Sequence, residues 1–180
     1  MISPKALYPV LFIALLSGCG MLADRPAPVE PRREAVSTAP APAPRLAPRA
    51  GQRSEALIQA IVALGSDYRY GGASHADGFD CSGLVAHVYR TALGVELPRT
   101  VLEQSTAGEA IDPADLAPGD LVFYNTLNRP WSHVGIYLGE GKFIHAPRTG
   151  AQVRTENMRS RYWVRRFDGA RRIASTQSAL

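Results

Sequence analysis

Three residues of this chain have types and settings that suit nucleophilic chemistry: Cys81, His133 and His145. Cys81 lies in Gly78-Phe79-Asp80-Cys81-Ser82-Gly83-Leu84-Val85, which reads as a turn followed by a helix start. Asp80 suits the N-cap, because its carboxylate can accept from the free N–H groups two or three residues on. A thiol in the first turn feels the positive end of the helix dipole, which favours the thiolate, the nucleophilic form. A free cysteine is otherwise most often a small buried hydrophobe, and the histidines decide between the two. An imidazole beside the thiol can hold its proton and later protonate a leaving amine, while a further polar group fixes the imidazole tautomer. His133 fits the base and His145 the orienting group. The Cys81 backbone N–H can donate to an oxyanion, and a tyrosine hydroxyl can supply a second donor.

This chemistry requires both histidines on one sheet face. Residues 133–138 and 142–146 read as neighbouring strands. A two-residue loop between them gives paired positions an index sum of 281 and puts the two rings on opposite faces. A three-residue loop, Gly139-Glu140-Gly141, gives a sum of 280, pairing His133 with Pro147 and His145 with Gly135 on one face. Gly141 favours the second, because it can take the left-handed position of a type I turn with a bulge.

The remaining elements follow from periodicity. The cysteine helix buries Leu84, Val85, Val88 and Tyr89 and runs to about Ala92, before Gly94. Ahead of it, Ser54 caps a first helix whose apolar positions are Leu57, Ile58, Ile61, Val62 and Leu64, with Gly65 at its C-terminal end. Thr100 and Glu103 make a capping box for a short helix ending near Gly108, and Asp112-Pro113 opens a helical turn. Strands are expected at 121–124, 133–138, 142–146, 152–155 and 162–167. Helices first and strands after, with hairpin links, predict an α+β fold in which the nucleophile helix packs on an antiparallel sheet of about five strands.

The ends differ from this domain. Lys5 precedes a short apolar run, residues 10–16, too short to span a bilayer. It ends in Leu16-Ser17-Gly18-Cys19, which resembles the lipobox of bacterial lipoproteins. The resemblance implies a signal peptide over 1–18, lipidation of Cys19, and a periplasmic protein held at a membrane. Gly20 in place of Asp suggests the outer one by the enterobacterial sorting habit. With Cys19 acylated, Cys81 has no partner in an oxidising compartment, which flags a reactive thiol. Residues 19–50 read as a tether: seven prolines fall between Pro26 and Pro48, several in Ala-Pro repeats. In polyproline II the stretch from Pro26 to Pro48 reaches at most roughly 70 Å. Residues 51–172 read as the folded domain and 173–180 as a disordered tail. The net charge of +4 comes from 18 Arg and only 2 Lys, with no basic run interleaved with aromatics, so nucleic acid is not an expected partner.

Asp80-Cys81-Ser82-Gly83-Leu84-Val85, Ser132-His133-Val134-Gly135-Ile136-Tyr137 and Phe143-Ile144-His145-Ala146 together resemble the NlpC-type cell-wall cysteine endopeptidases, in particular their Spr-like lipoprotein subgroup. The likeness spans roughly residues 55–172. It includes Tyr68 before the double glycine, Leu97-Pro98-Arg99 and Pro118-Gly119-Asp120-Leu121-Val122. The resemblance implies a papain-like fold, with Cys81 as nucleophile, His133 as base, His145 as third member and Tyr68 near the oxyanion. It also implies that Asp80 and Ser82 line the pocket for the peptide stem. Arg99 suits either a substrate carboxylate or a structural salt bridge.

The implied activity is thiol hydrolysis of peptidoglycan stem-peptide crosslinks, D-Ala–diaminopimelate. The γ-D-Glu–diaminopimelate stem bond, a non-catalytic wall-binding lipoprotein and acyl transfer by the same thiol are the other readings. No cofactor is implied, and no metal, because Cys and His lack further ligands at zinc spacing. A monomer, with a regulatory adaptor or protease as possible partner, is expected. His75 reads as solvated, His87 as off the site, and Trp131 as packing.

Overall fold

The computed structural model describes residues 50–174. The expected leader, Cys19, the tether as far as residue 49 and the tail from 175 lie outside the described residues.

The chain forms helix α1 (Ala50–Val62), a two-stranded ribbon β1 (Ala73–Ser74) and β2 (Gly78–Phe79), then helices α2 (Cys81–Leu93) and α3 (Val101–Gln104). Strand β3 (Glu109–Ile111) and a 3-10 turn (Pro113–Asp115) lead into strands β4 (Leu121–Tyr124), β5 (His133–Gly139), β6 (Lys142–His145) and β7 (Arg154–Asn157). Helix α4 (Arg161–Val164) and strand β8 (Phe167–Arg172) follow. The main sheet has six antiparallel strands in the order β3-β8-β4-β5-β6-β7.

The α+β class and the helix-on-sheet packing are as expected, and the strand list needs correction. β3 was not foreseen, and it is only three residues long. The stretch expected as a fifth strand is instead helix α4 followed by β8, because Ser160 starts a turn and the apolar Trp163 is the one side chain of that turn that is buried. The fourth strand begins at Arg154, two residues late, with Gln152 in an isolated bridge to Asp67. The folded domain also reaches past 172, since Ile173 is buried in the main core.

Helix α2 is the centre of that core. Asp80 caps it, accepting from the Gly83 amide at 2.7 Å, and Gly94, with φ 64°, ends it by donating to the Arg90 carbonyl. Leu84, Val85 and Val88 are fully buried against Leu121, Phe123, Val134, Ile136 and Ile144 of the sheet. The loop before α2 lies so close to its first turn that a Cβ on Gly83 would stand 2.0 Å from the Gly72 carbonyl oxygen. Only glycine permits that approach. The opposite sheet face carries a second, smaller core of Val122, Tyr124, Phe143, Trp163 and Ala170.

Helix α1 departs from its expected orientation. It begins at Ala50, so Ser54 is interior rather than the cap, and it ends at Val62. Gly65 makes a left-handed turn whose amide bonds the Val153 carbonyl instead of closing the helix. The buried side is Ala56, Ala60 and Ala63, while Ile58, Ile61 and Val62 are more than half exposed. Small side chains let α1 approach the core closely, and shape outranks apolar bulk in choosing the face. We therefore expect Ala60→Leu to cost about 1–3 kcal/mol by overpacking, and Ile61→Gln to stay within about 0.5 kcal/mol. Urea unfolding of the two variants checks this, and an equal loss in both would refute the assigned face.

Candidate active site

The β5–β6 hairpin sets the position of both histidines. Ile136 pairs with Ile144 and Tyr137 with Phe143, an index sum of 280, so His133 and His145 do share a face. The turn reaches this register by a route other than the expected one. Glu140 and Gly141 both have positive φ, Gly139 pairs directly with Lys142, and the extra residue is a bulge between Tyr137 and Gly139. Gly135, between the two imidazoles on that face, has no room for a side chain: a Cβ there would stand 2.6 Å from the Phe143 ring. The loop before β5 is tied down by Ser132, whose hydroxyl accepts from the Thr126 and Leu127 amides at 2.9 and 3.2 Å.

His133 Nε2 and His145 Nδ1 are 2.7 Å apart, a hydrogen bond between rings at 89° to each other. Trp163 stacks on His133, with 5.9 Å between centroids and 24° between planes, and meets His145 edge-on. Burial lowers both imidazole pKa values, that of His133 from 6.5 to about 4. His145 is lowered by burial first, then by the charges of His133 and Arg154. The pair is neutral at pH 7. For His133 to take a thiol proton at Nδ1, its hydrogen must sit on Nε2 and point at His145 Nδ1. His145 then carries its own hydrogen on Nε2, an atom that is buried without a partner among the described residues.

Cys81 is the first residue of α2, half-buried beside Val134, the residue after His133: the Val134 and Ser82 amides both favour its thiolate. Burial, then the nearby Asp80 carboxylate, outweigh them and push the thiol up to about 11. The sequence expectation that the helix start lowers this pKa is therefore corrected; desolvation and a neighbouring anion win over the dipole. Among the described residues no hydrogen bond joins Cys81 to His133, and such bonds often tighten only when substrate binds.

Asp80 is the hub of the helix start. Besides the Gly83 amide it accepts from the Gly71 amide at 2.9 Å, from Ser82 Oγ at 3.2 Å, and from both Arg99 Nη atoms at 3.0 and 2.6 Å. Arg99 Nη1 also donates to Ser82 Oγ at 2.9 Å. Burial alone would raise the Asp80 pKa, but the Arg99 bonds and the two amides hold it below the ordinary carboxylate value. Arg99 thus makes the salt bridge that the sequence left as one of two choices.

Tyr68 is half-buried, its amide bonded to the Ala151 carbonyl and its backbone bridged to Phe79. Burial first, then the Cys81 and Asp80 charges, raise its phenol pKa. Tyr68 lines an open groove of about 890 Å³. A second cavity of about 320 Å³ is lined by His133, His145 and Trp163. Arg148 and Arg154 line both.

Cys81, Tyr68, Asp80, Ser82 and Arg99 therefore gather at the start of α2, and His133 and His145 lie at the ends of the adjoining strands. His75 and His87 pack instead on Phe79 and on each other, with centroids 5.1–5.2 Å apart. Trp131 packs on Phe123, as expected of a packing residue. Sequence reasoning missed Trp163, Arg148 and Arg154. Trp163 had been placed on a strand, and the two arginines follow the His145 strand with no periodic signal to mark them.

The NlpC/P60 family model matches residues 65–172. The chain is 40% identical over 126 residues to the murein DD-endopeptidase MepH of Escherichia coli K12, covering 68% of this chain and 46% of that one. It is 42% identical over 111 residues to the gamma-DL-glutamyl hydrolase of Bacillus subtilis 168, covering 61% of this chain and 27% of that one. It thus spans less than half the length of either relative. The crystal structure of an NLP/P60-family lipoprotein-like protein from Staphylococcus aureus Mu50 superposes with a TM-score of 0.64 at 31% identity, covering 76% of this chain and 46% of that one.

The buried neutral imidazoles make stability depend on pH. Below about pH 6.5 the unfolded chain takes up protons that folded His133 and His145 refuse, so their contribution is full above that pH and is lost as pH falls, towards about 4 for His133 and further still for His145. His87, also lowered by burial, adds in the same window, whereas Asp80, depressed below 3.8, acts only at lower pH. The melting temperature should fall between pH 6.5 and 4, and the double variant His133→Phe/His145→Phe should show a shallower fall. An unchanged slope in the double variant would refute the assignment.

Proposed function

The chain belongs to the NlpC/P60 family, and on that footing we propose that it is a cysteine peptidase that hydrolyses peptide bonds of peptidoglycan stems. The observation that carries this reading is the His133–His145 hydrogen bond with Cys81 against the adjoining Val134 amide.

In the proposed reaction the Cys81 thiol gives its proton to His133 Nδ1 as the sulfur attacks the carbonyl carbon. His145 Nδ1 accepts from His133 Nε2–H and holds the ring as it becomes cationic. The tetrahedral oxyanion takes hydrogen bonds from the Cys81 amide and the Tyr68 hydroxyl. Collapse breaks the C–N bond, His133 protonates the departing amine, and a thioester remains. Water, deprotonated by His133, then releases the acid and the thiol. Asp80 holds the nucleophile at the start of α2 through Gly71, Gly83 and Arg99, and with Ser82 and Arg99 forms the wall against which the peptide stem lies.

The crosslink bond, D-Ala–diaminopimelate, is the favoured target, supported by the likeness to a DD-endopeptidase over more of the chain. The γ-D-Glu–diaminopimelate bond is the second reading, supported by the likeness to a gamma-DL-glutamyl hydrolase. A wall-binding protein without catalysis would have no need of a thiol and two hydrogen-bonded imidazoles in one site. We further propose that the protein works in the periplasm, tethered to the outer membrane by lipid on Cys19; the lipobox-like Leu16-Ser17-Gly18-Cys19 supports this.

Mass spectrometry of crosslinked muropeptides after incubation tests the proposal. Wild-type protein should consume dimers and release tetrapeptide monomers, while Cys81→Ala and His133→Ala should lose about 10³-fold or more of the rate. Dipeptide-stem fragments would move the assignment to the γ-D-Glu bond. Undiminished cleavage by Cys81→Ala would sink the mechanism.

A further inference from the structure

Two openings of the domain, one lined by Tyr68 and the other by His133 and His145, share a wall. Arg148 and Arg154, from the segment joining β6 to β7 and the first residue of β7, line both the Tyr68 groove and the His133–Trp163 cavity. Among the described residues the Arg148 guanidinium has no hydrogen-bond or ion-pair partner. Arg154 uses only its Nε, which donates to Glu156 Oε1 at 2.9 Å, so both of its Nη groups stay open. The carboxylates of these walls are already engaged. Glu156 takes Arg154 Nε and Trp163 Nε1, and Asp67 accepts from Gln152 at 3.1 Å. The arginines are thus the available charges here, and their unused donors form the planar fork that matches a carboxylate.

This pattern differs from that of the other paired arginines. Arg99 and Arg172 spend their donors on Asp80 and Asp120, each within 2.7 Å, and so serve the scaffold. Arg148 and Arg154 hold nothing together beyond the single Glu156 contact. Their side chains line the openings that hold Tyr68, His133 and His145, and the peptides of the wall carry free carboxylates close to the bonds in question.

We propose that Arg148 and Arg154 form a carboxylate-recognition element that selects stem peptides whose carboxylate beside the scissile bond is free over those in which it is amidated. The inference rests on the hydrolase reading above. The carboxylate has two chemical sources, the α-carboxylate of D-Glu and that of diaminopimelate, and both present the same group to a guanidinium.

Steady-state kinetics of the full chain on three matched muropeptides separates these. One has both carboxylates free, one is amidated at D-Glu and one at diaminopimelate. Wild-type protein should prefer the free acid by roughly tenfold or more in kcat/KM over whichever amide removes the recognised group, mostly through KM. The peptide whose amidation has no effect excludes its source. Arg148→Gln/Arg154→Gln should bring that ratio close to one. Arg148→Gln alone removes no hydrogen bond or ion pair among the described residues and should lower the ratio part of the way. Equal loss on all three peptides, or a ratio unchanged in the double variant, would overturn the proposal. Calorimetric binding of the same peptides to Cys81→Ala keeps the two readings apart. If wild type cuts none of them but Cys81→Ala still binds the acid in preference to the amide, the hydrolase reading falls and the arginine element stands.

Discussion

The site depends on one backbone fact, the register of the β5–β6 hairpin. A shift of one residue would turn one histidine to the α2 side and the other away, since side chains alternate along a strand. The bulge between Tyr137 and Gly139 absorbs a residue and restores the register that brings the rings together. Ile136, Ile144 and Phe143 then enforce it from the two cores, because slipping β6 by one residue would swap Ile144 and Phe143 between cores packed for the other. The 2.7 Å contact between the imidazoles is therefore a consequence of core packing on both faces of the sheet.

Cys81 is positioned by a second and independent device. Asp80 receives bonds from three elements: the Gly71 amide before the ribbon, the Gly83 amide of α2, and Arg99 ahead of α3. A buried carboxylate with fewer partners would cost free energy to desolvate, and here its acceptor sites are filled. The loop closes on the helix only because Gly83 has no side chain to meet the Gly72 carbonyl. The helix start cannot shift without breaking this set, so Cys81 stays against the edge of β5.

Much of this was legible because the signals were local. The Asp80 cap, the Thr100–Glu103 capping box and the Gly94 stop are fixed by residues within a few positions of each other, and all three are present. The shared face of His133 and His145 followed from counting, although the turn that achieves it is different. What escaped depended on partners distant in sequence. α1 turned its alanines inward because α2 left little depth, a constraint that apolar periodicity does not carry. Trp163 formed a helical turn over Tyr124, Phe143 and the imidazoles, which only the sheet places beneath it. The thiol pKa went the opposite way from the helix-dipole argument because the same Asp80 that caps the helix adds a negative charge beside the sulfur.

That last reversal bears on how the site works. With Cys81 raised and His133 lowered, the resting state is a neutral thiol beside a neutral imidazole. An ion pair forms only when something stabilises the separated charges. His145 can stabilise the imidazolium, since it offers Nδ1 as an acceptor to the ring that gains the proton. In the proposed reaction the negative side of the transfer is met at the oxyanion, by an amide at the helix start and the Tyr68 hydroxyl, whose raised pKa keeps it a donor. On that reading charge separation is coupled to a bound carbonyl, and a thiol that stays protonated until then is less open to oxidation. For a hydrolase proposed to work in an oxidising compartment, burial of Cys81 and a protonated resting thiol are the same physical choice.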